Sequence, residues 1–156
     1  MNLNEIDFRT LDYASDTEMR AYFRLFWDIP LEWNDYFTRR SDSFLSDWMQ
    51  TARKTEDTTN TFSGIALKSG DIVGVHILRR ITEWEQVGVH IAGTWVHPSW
   101  RELGIARVLK ANGENWARYI GATFVNTNIQ ASNHRMVAIN EQAGFSLFRF
   151  NMRKRL

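Results

Sequence analysis

The stretch HPSWRELGIARVL, residues 97–109, is where the reading of this chain begins. It follows an apolar run, Val89 to Val96, that reads as a strand, and it opens into a segment with helical periodicity. The turn between them contains Pro98, Arg101, Gly104 and Ala106. A helix starting there leaves its first backbone N–H groups without partners, at the positive end of its dipole. Small residues let an anion approach that backbone closely, and an arginine adds charge in a fork geometry. The turn therefore suits a pyrophosphate. No Gly-Lys-Ser/Thr follows it and no Gly-x-Gly-x-x-Gly is present, so it is neither a P-loop nor a dinucleotide fingerprint.

Outward from this turn the pattern is strand, helix, strand, helix. The first helix carries Ile105, Val108, Leu109, Trp116 and Ile120 on its inward side, and Gly121 is its expected stop. Residues 122–129 read as a strand, Asn133 to Ala143 as a short helix closed by Gly144, and residues 145–152 as a last strand. Upstream, the order is different. Residues 5–11 alternate as a strand, and Ser15 or Asp16 caps a helix carrying Met19, Tyr22, Phe23, Phe26 and Trp27, ended by Pro30. Phe44, Leu45, Trp48, Met49 and Ala52 form a second helical stripe, and residues 54–60 a loop. A hairpin turns at Ser69-Gly70-Asp71, and a second turn, residues 82–86, leads into the strand ending at Val96. Antiparallel strands followed by a strand–helix–strand unit predict an α/β domain on one mixed sheet.

Composition narrows the class. The chain has 156 residues, 44% hydrophobic and 24% charged, as expected of one soluble globular domain. It has no cysteine, which excludes disulfides and thiolate metal sites, and no metal is expected. No run approaches the roughly 18 apolar residues of a membrane span, and the polar N-terminus is unlike a secretory signal. A cytoplasmic protein is the expectation. The net charge of +1 is split unevenly. Residues 1–60 hold twelve acids and seven bases, a net of −5, and residues 61–156 hold six acids and twelve bases, a net of +6. Two ligands of opposite sign, one for each half, would account for the split.

Two motifs give the turn a family. Val96-x-Pro98-x-Trp100-Arg101-x-x-Gly104-Ile105-Ala106-x-x-Leu109 resembles the acetyl-CoA-binding signature of the GNAT superfamily of N-acetyltransferases. Asn133-x-x-Met136-x-x-Ile139-Asn140-x-x-Ala143-Gly144-Phe145 resembles that family's second signature. The resemblance covers residues 89–146 by motif and the rest by architecture. It implies one domain over residues 1–156, with acceptor-side helices in residues 1–60 and an acetyl-CoA-binding core in residues 89–146. The mixed sheet, flanked by helices, would splay open between the strand at 89–96 and the strand at 123–129, with acetyl-CoA in the cleft. Its arm would run along Trp95 and Val96, and its pyrophosphate would meet Arg101, Glu102, Leu103, Gly104, Ile105, Ala106 and Arg107. Asn133 and Asn140, seven apart and so on one helix face, are further cofactor candidates; Asn133 also reads as an N-cap.

The sequence departs from the family at three places. Glu102 stands where the family often has glycine, which brings a negative charge near the phosphates. Asn140 stands where a tyrosine often protonates the departing thiolate, and an amide has no such proton to give. Ala92 matches the position of the usual glutamate base. His90, two residues earlier, shares the face of Ala92 unless a bulge intervenes, and a histidine accepts protons near neutral pH. The catalytic candidates are therefore His90, Glu83 and Asn140, with Glu85 as a further possible base. His76, His97 and His134 carry no comparable argument. Trp27 and Trp48 fall on apolar stripes and read as core, whereas Trp33 and Trp84 are candidates for an acceptor pocket.

The activity implied is acetyl transfer from acetyl-CoA to a primary amine of a small molecule. The alternative is an acyl-CoA-binding or regulatory protein of the same fold with little turnover. Asp28, Glu32, Asp35, Asp42 and Asp47 on the acceptor side favour a cationic amine. Neither a membrane nor a nucleic acid is an expected partner, since Arg149, Arg153, Lys154 and Arg155 are too few to carry nucleic-acid binding. A homodimer is compatible with the sequence.

Overall fold

A computed structural model describes residues 3–32, 34, 36–55, 59–149, 152 and 154. The chain forms two compact units, Met1–Asn126 and Thr127–Leu156. In the first, β1 (Asp7–Thr10) precedes α1 (Asp16–Asp28) and α2 (Asp42–Thr55), followed by β2 (Thr61–Lys68), β3 (Asp71–Glu83), β4 (Gln86–Val96) and α3 (Ile105–Tyr119). Next come β5 (Phe124–Thr127) and, in the second unit, α4 (His134–Gln142). The strands form one sheet in the order β1-β2-β3-β4-β5. The first four pair antiparallel, and β5, after its helical crossover, enters beside the start of β4, where Thr123 N donates to Val87 O at 2.8 Å. This is the mixed α/β sheet that the sequence predicts.

Local signals act where they were read. Ser15 caps α1 by accepting from Glu18 N, and α1 stops two residues before Pro30. Ser69 and Gly70 make the β2–β3 turn with positive φ. Among the described residues the last expected strand does not form: residues 145–149 are irregular, and Leu147 and Phe148 are exposed. Gly144 turns left-handed at φ 88°, and Phe145 N bonds back to Asn140 O to close α4. Apolar alternation makes a strand only where an edge is there to pair with it, and among the described residues no ladder reaches this segment.

Two faces of the sheet bury separate cores. On one, Ile65, Leu67, Val75 and Ile77 meet Met19, Tyr22 and Phe23 of α1 and Leu45 and Met49 of α2. Trp27 and Trp48 stand edge-to-face at 5.1 Å within this layer, as core residues. On the other face, α3 buries Ile105, Leu109, Gly113 and Ala117, four residues apart on one ridge. Val108, Trp116 and Ile120, expected inward, are only half-buried. Small residues take the centre because the helix lies close to the sheet. A Cβ on Gly113 would sit 2.8 Å from both His76 Cδ2 and Leu78 Cδ1, too close to be accommodated.

His76 is buried in this second layer. Burial, with the Lys110 ammonium adding to it, pushes its imidazole down to about 4. In the unfolded chain a histidine titrates near 6.5, so the unfolded state takes up a proton that the folded state refuses. This contribution is complete above pH 6.5 and is lost as the pH falls towards 4, at a cost of about 3 kcal/mol. Urea unfolding between pH 7 and 4.5 should therefore show a shallower loss of stability in His76→Asn than in the wild type. Equal slopes would contradict a buried neutral histidine.

Candidate active site

β4 carries one residue more than the strand it pairs with. Ile77 pairs with Gly93 and Leu78 with Ile91, so Ala92 is the extra residue of a bulge. Ile91 packs in the α3-side layer, whereas Ala92 packs against the α1 and α2 layer. A Cβ on Gly93 would meet Ile29 and Ile77, so two consecutive residues face the same side. The bulge lies at Ala92 and Gly93, beyond His90, and Ala92 keeps the face that it shares with His90.

His90 pairs directly with Arg79 of β3, whose guanidinium lies 5.8 Å from the centre of the Phe26 ring on α1. Half-burial lowers the His90 pKa, the Arg79 charge lowers it further, and Glu83 opposes both. Glu83 ends β3 and accepts from Asn126 Nδ2 at 3.1 Å, and Glu85 is exposed in the β3–β4 turn. A cavity of about 260 Å³ lies between α1, α2 and the sheet, lined in part by Tyr13, Tyr22, Phe26, Trp48, Ser63 and Arg79. Its polar wall is a hydroxyl cluster: Tyr22 donates to Ser63 Oγ at 2.9 Å, and Tyr13 Oη lies 3.1 Å from the same atom. Arg79 links the cavity to His90. Sequence reasoning passed over Arg79, Tyr13 and Ser63, whose only signal was a polar residue on an inward face of a strand or beside it.

The turn into α3 has an unusual backbone. Gly104 is the N-cap at φ 87°, and no side chain caps the helix. Glu102 is also left-handed, at φ 67°. The glutamate thus occupies a conformation suited to glycine, at the position where the resemblance expects one. Ile105 is fully buried and offers the turn only its backbone, Leu103 and Ala106 are half-buried, and Arg107 is exposed. The Arg101 side chain turns back along β4. Its Nε donates to Val96 O at 2.9 Å, and its guanidinium pairs with Glu32 at 3.1 Å. Trp95 Nε1 donates to the same carboxylate at 2.6 Å. These bonds tie the segment after α1 to the end of β4.

In the second unit, Asn133 is the N-cap of α4, its Oδ1 accepting from Met136 N at 3.1 Å. Asn140 is buried, and its carbonyl accepts from Ala143 N and Phe145 N. Trp84 is 87% exposed in its turn. Trp33, Asp35, Arg153 and Arg155 lie outside the described residues. The other acids expected on the acceptor side are largely paired: Asp28 with Arg39 at 2.9 Å, Asp42 with Arg24, and Glu32 with Arg101.

The model of the Acetyltransferase (GNAT) family matches residues 19–145, most of the chain. The chain belongs to the GNAT acetyltransferase family. No curated protein matches it, but solved structures share its fold. One is a Trypanosoma brucei acetyltransferase, 18% identical with a TM-score of 0.71, covering 97% of this chain and 99% of that one. Another is an aminoglycoside acetyltransferase from an uncultured soil metagenomic sample, 15% identical with a TM-score of 0.74, covering 98% and 97%. A third is the Arabidopsis thaliana glucosamine-6-phosphate N-acetyltransferase, 12% identical with a TM-score of 0.70, covering 96% and 97%. In this GNAT chain, the turn led by Glu102 and Gly104 lies within the matched residues.

Left-handed backbone costs a non-glycine residue about 1 kcal/mol. Glu102→Gly should therefore raise the urea midpoint by an amount equivalent to about 1 kcal/mol, with an unchanged denaturant slope. An unchanged midpoint would mean that the glutamate's own contacts offset the strain.

Proposed function

We propose that this GNAT protein is an acetyl-CoA-dependent N-acetyltransferase acting on a primary amine of a small molecule. The observation that carries the reading is the turn from β4 into α3, an uncapped helix start led by Gly104 at φ 87°. These features fit a pyrophosphate, which the N–H groups of residues 104–107 and the dipole of α3 would hold. Arg101 and Glu102 flank that turn, Trp95 and Val96 lie on the strand leading to it, and Asn133 and Asn140 are assigned to the cofactor by their motif. Acetyl-CoA supplies an acetyl thioester open to attack at its carbonyl carbon.

The remaining work falls to the chain's own residues. A bulge leaves its extra residue outside the one-to-one ladder, so the backbone at Ala92 and Gly93 is suited to donate to a developing oxyanion. The amine must attack in its neutral form, and His90 is the proposed acceptor of its proton, with Glu83 as the other candidate. The nitrogen bonds to the carbonyl carbon, the C–S bond breaks and CoA leaves as its thiolate. Asn140 cannot protonate that thiolate; a thiol pKa near 8.5 lets it leave without a dedicated acid. The cavity beside Arg79 would take the body of the acceptor. The acid surplus of residues 1–60 supports a cationic amine, although the ion pairs at Asp28, Asp42 and Glu32 confine that attraction to short range.

Calorimetry with acetyl-CoA tests the placement of the cofactor. Wild-type protein should bind it, and Gly104→Glu should abolish binding while circular dichroism stays unchanged. Equal affinity in the variant would remove the turn from the site. Release of CoA thiol across a panel of polyamines, amino sugars and anionic amino acids tests the reaction. Binding without thiol release from any amine would favour the acyl-CoA-binding alternative.

The base has its own signature. Because the His90 pKa is lowered, the acid limb of kcat/KM should lie below the usual histidine value of 6.5. Arg79→Met removes a lowering charge and should move the limb to higher pH, and Glu83→Gln should move it lower. A limb that stays in place in both variants would assign the proton to another group.

A further inference from the structure

The bulge in β4 is held from the opposite face of the sheet. His76 of β3 pairs with Thr94, the first residue beyond the bulge that returns to the α3 side. Its Nδ1 lies 2.8 Å from Thr94 Oγ1, and the ring also hydrogen-bonds to the backbone of Gly93. A backbone group that raises a histidine's pKa is a carbonyl accepting from the ring, so the imidazole grips both the side chain and the main chain of the bulged segment. The position is otherwise apolar. His76 is 2% exposed, between the two inward neighbours Gly74 and Leu78 and beneath α3. A leucine or valine would fill such a place without the desolvation that a buried imidazole suffers.

The rest of the layer is shaped around this ring. A Cβ on Gly113 would sit 2.8 Å from His76 Cδ2 and 3.0 Å from Nε2, so α3 presents a glycine where the imidazole stands. Phe62 packs edge-on against the same ring at 6.4 Å. With Gly113 and Phe62 packed against it, the imidazole meets Gly93 and Thr94 with its polar edge.

We propose that His76 is a positioning residue, which fixes the Ala92–Gly93 bulge so that its backbone can donate to the thioester carbonyl. The proposal rests on the acetyl-CoA reading given above. His76 touches neither substrate nor cofactor in this scheme; it acts through the main chain of β4. A small displacement of a donor is costly, because donors aimed at a developing charge work only at hydrogen-bond distance. Loss of the ring's two bonds should therefore lower kcat roughly a hundredfold, with little change in the KM for acetyl-CoA.

The test reads the bulge directly and needs no acceptor. Acetyl-CoA carrying carbon-13 at the acetyl carbonyl is bound to the full-length protein, and its resonance is compared with that of free acetyl-CoA. A carbonyl that accepts hydrogen bonds from the bulge moves downfield. Wild-type protein should show this displacement, His76→Leu should lose it while binding CoA within about twofold of wild type, and His76→Asn, which keeps a donor near Nδ1, should recover it in part. Thr94→Val removes one of the ring's partners at constant volume and should reduce the displacement. A full wild-type displacement in His76→Leu overturns the proposal, as does a full displacement in Thr94→Val should the leucine variant fail to fold. Wild-type protein that binds acetyl-CoA with no displacement overturns it as well. No binding of acetyl-CoA to the wild type overturns the cofactor reading itself, and the proposal falls with it.

Discussion

One extra residue in β4 organises the centre of this protein. Ladder pairing between β3 and β4 is regular on both sides of Ala92, and the mismatch is confined to Ile77 and Leu78 opposite Gly93 and Ile91. Because side chains alternate along a strand, an inserted residue without local correction would turn every later side chain to the wrong face. The bulge absorbs the change within Ala92 and Gly93. Beyond it Thr94 meets His76 and Val96 meets the α3 layer, while Trp95 packs against the α1 and α2 layer. His90, on the near side, keeps the face that holds Arg79 and the cavity.

The two sheet faces divide the work. The α3 face fixes the frame, with a buried histidine, a close-approach glycine and a helix that starts uncapped at Gly104. The opposite face holds the half-buried His90, the exposed Arg79 that pairs with it, and the aromatic cavity. The connection between them is the main chain of β4 itself. Arg101 and Trp95 add a second connection, since both bond Glu32 and so anchor the segment after α1 to the strand that precedes α3. The glutamates at 32 and 102 place negative charge close to the turn into α3, and the left-handed backbone at Glu102 marks this as a local feature of the chain.

Much of this was legible in the residues. Ser15, Gly104, Asn133 and Gly144 mark helix ends by their own chemistry, and each does so in the structure. The family was legible because two motifs at fixed spacing constrain each other. What the sequence concealed was set by tertiary pairing. The apolar residues of 145–149 have strand character but no ladder among the described residues. Gly113, a residue type that weakens a helix interior, is the place where the ring of His76 fits. His76 itself carried no local signal, since the alternation of β3 identifies it as inward but cannot reveal that its partners are a bulge. The acids of the N-terminal half were countable, yet only the fold shows how many face arginines.

The central claim is that the frame built around β4 transfers an acetyl group to an amine. Mass spectrometry of a small-molecule extract incubated with the protein and acetyl-CoA tests it most directly. The account predicts an amine that gains one acetyl group on nitrogen, in step with release of free CoA, and no such product from the His90→Ala, Glu83→Gln double variant. An extract in which no amine gains an acetyl group, or a product formed equally by the double variant, would contradict it.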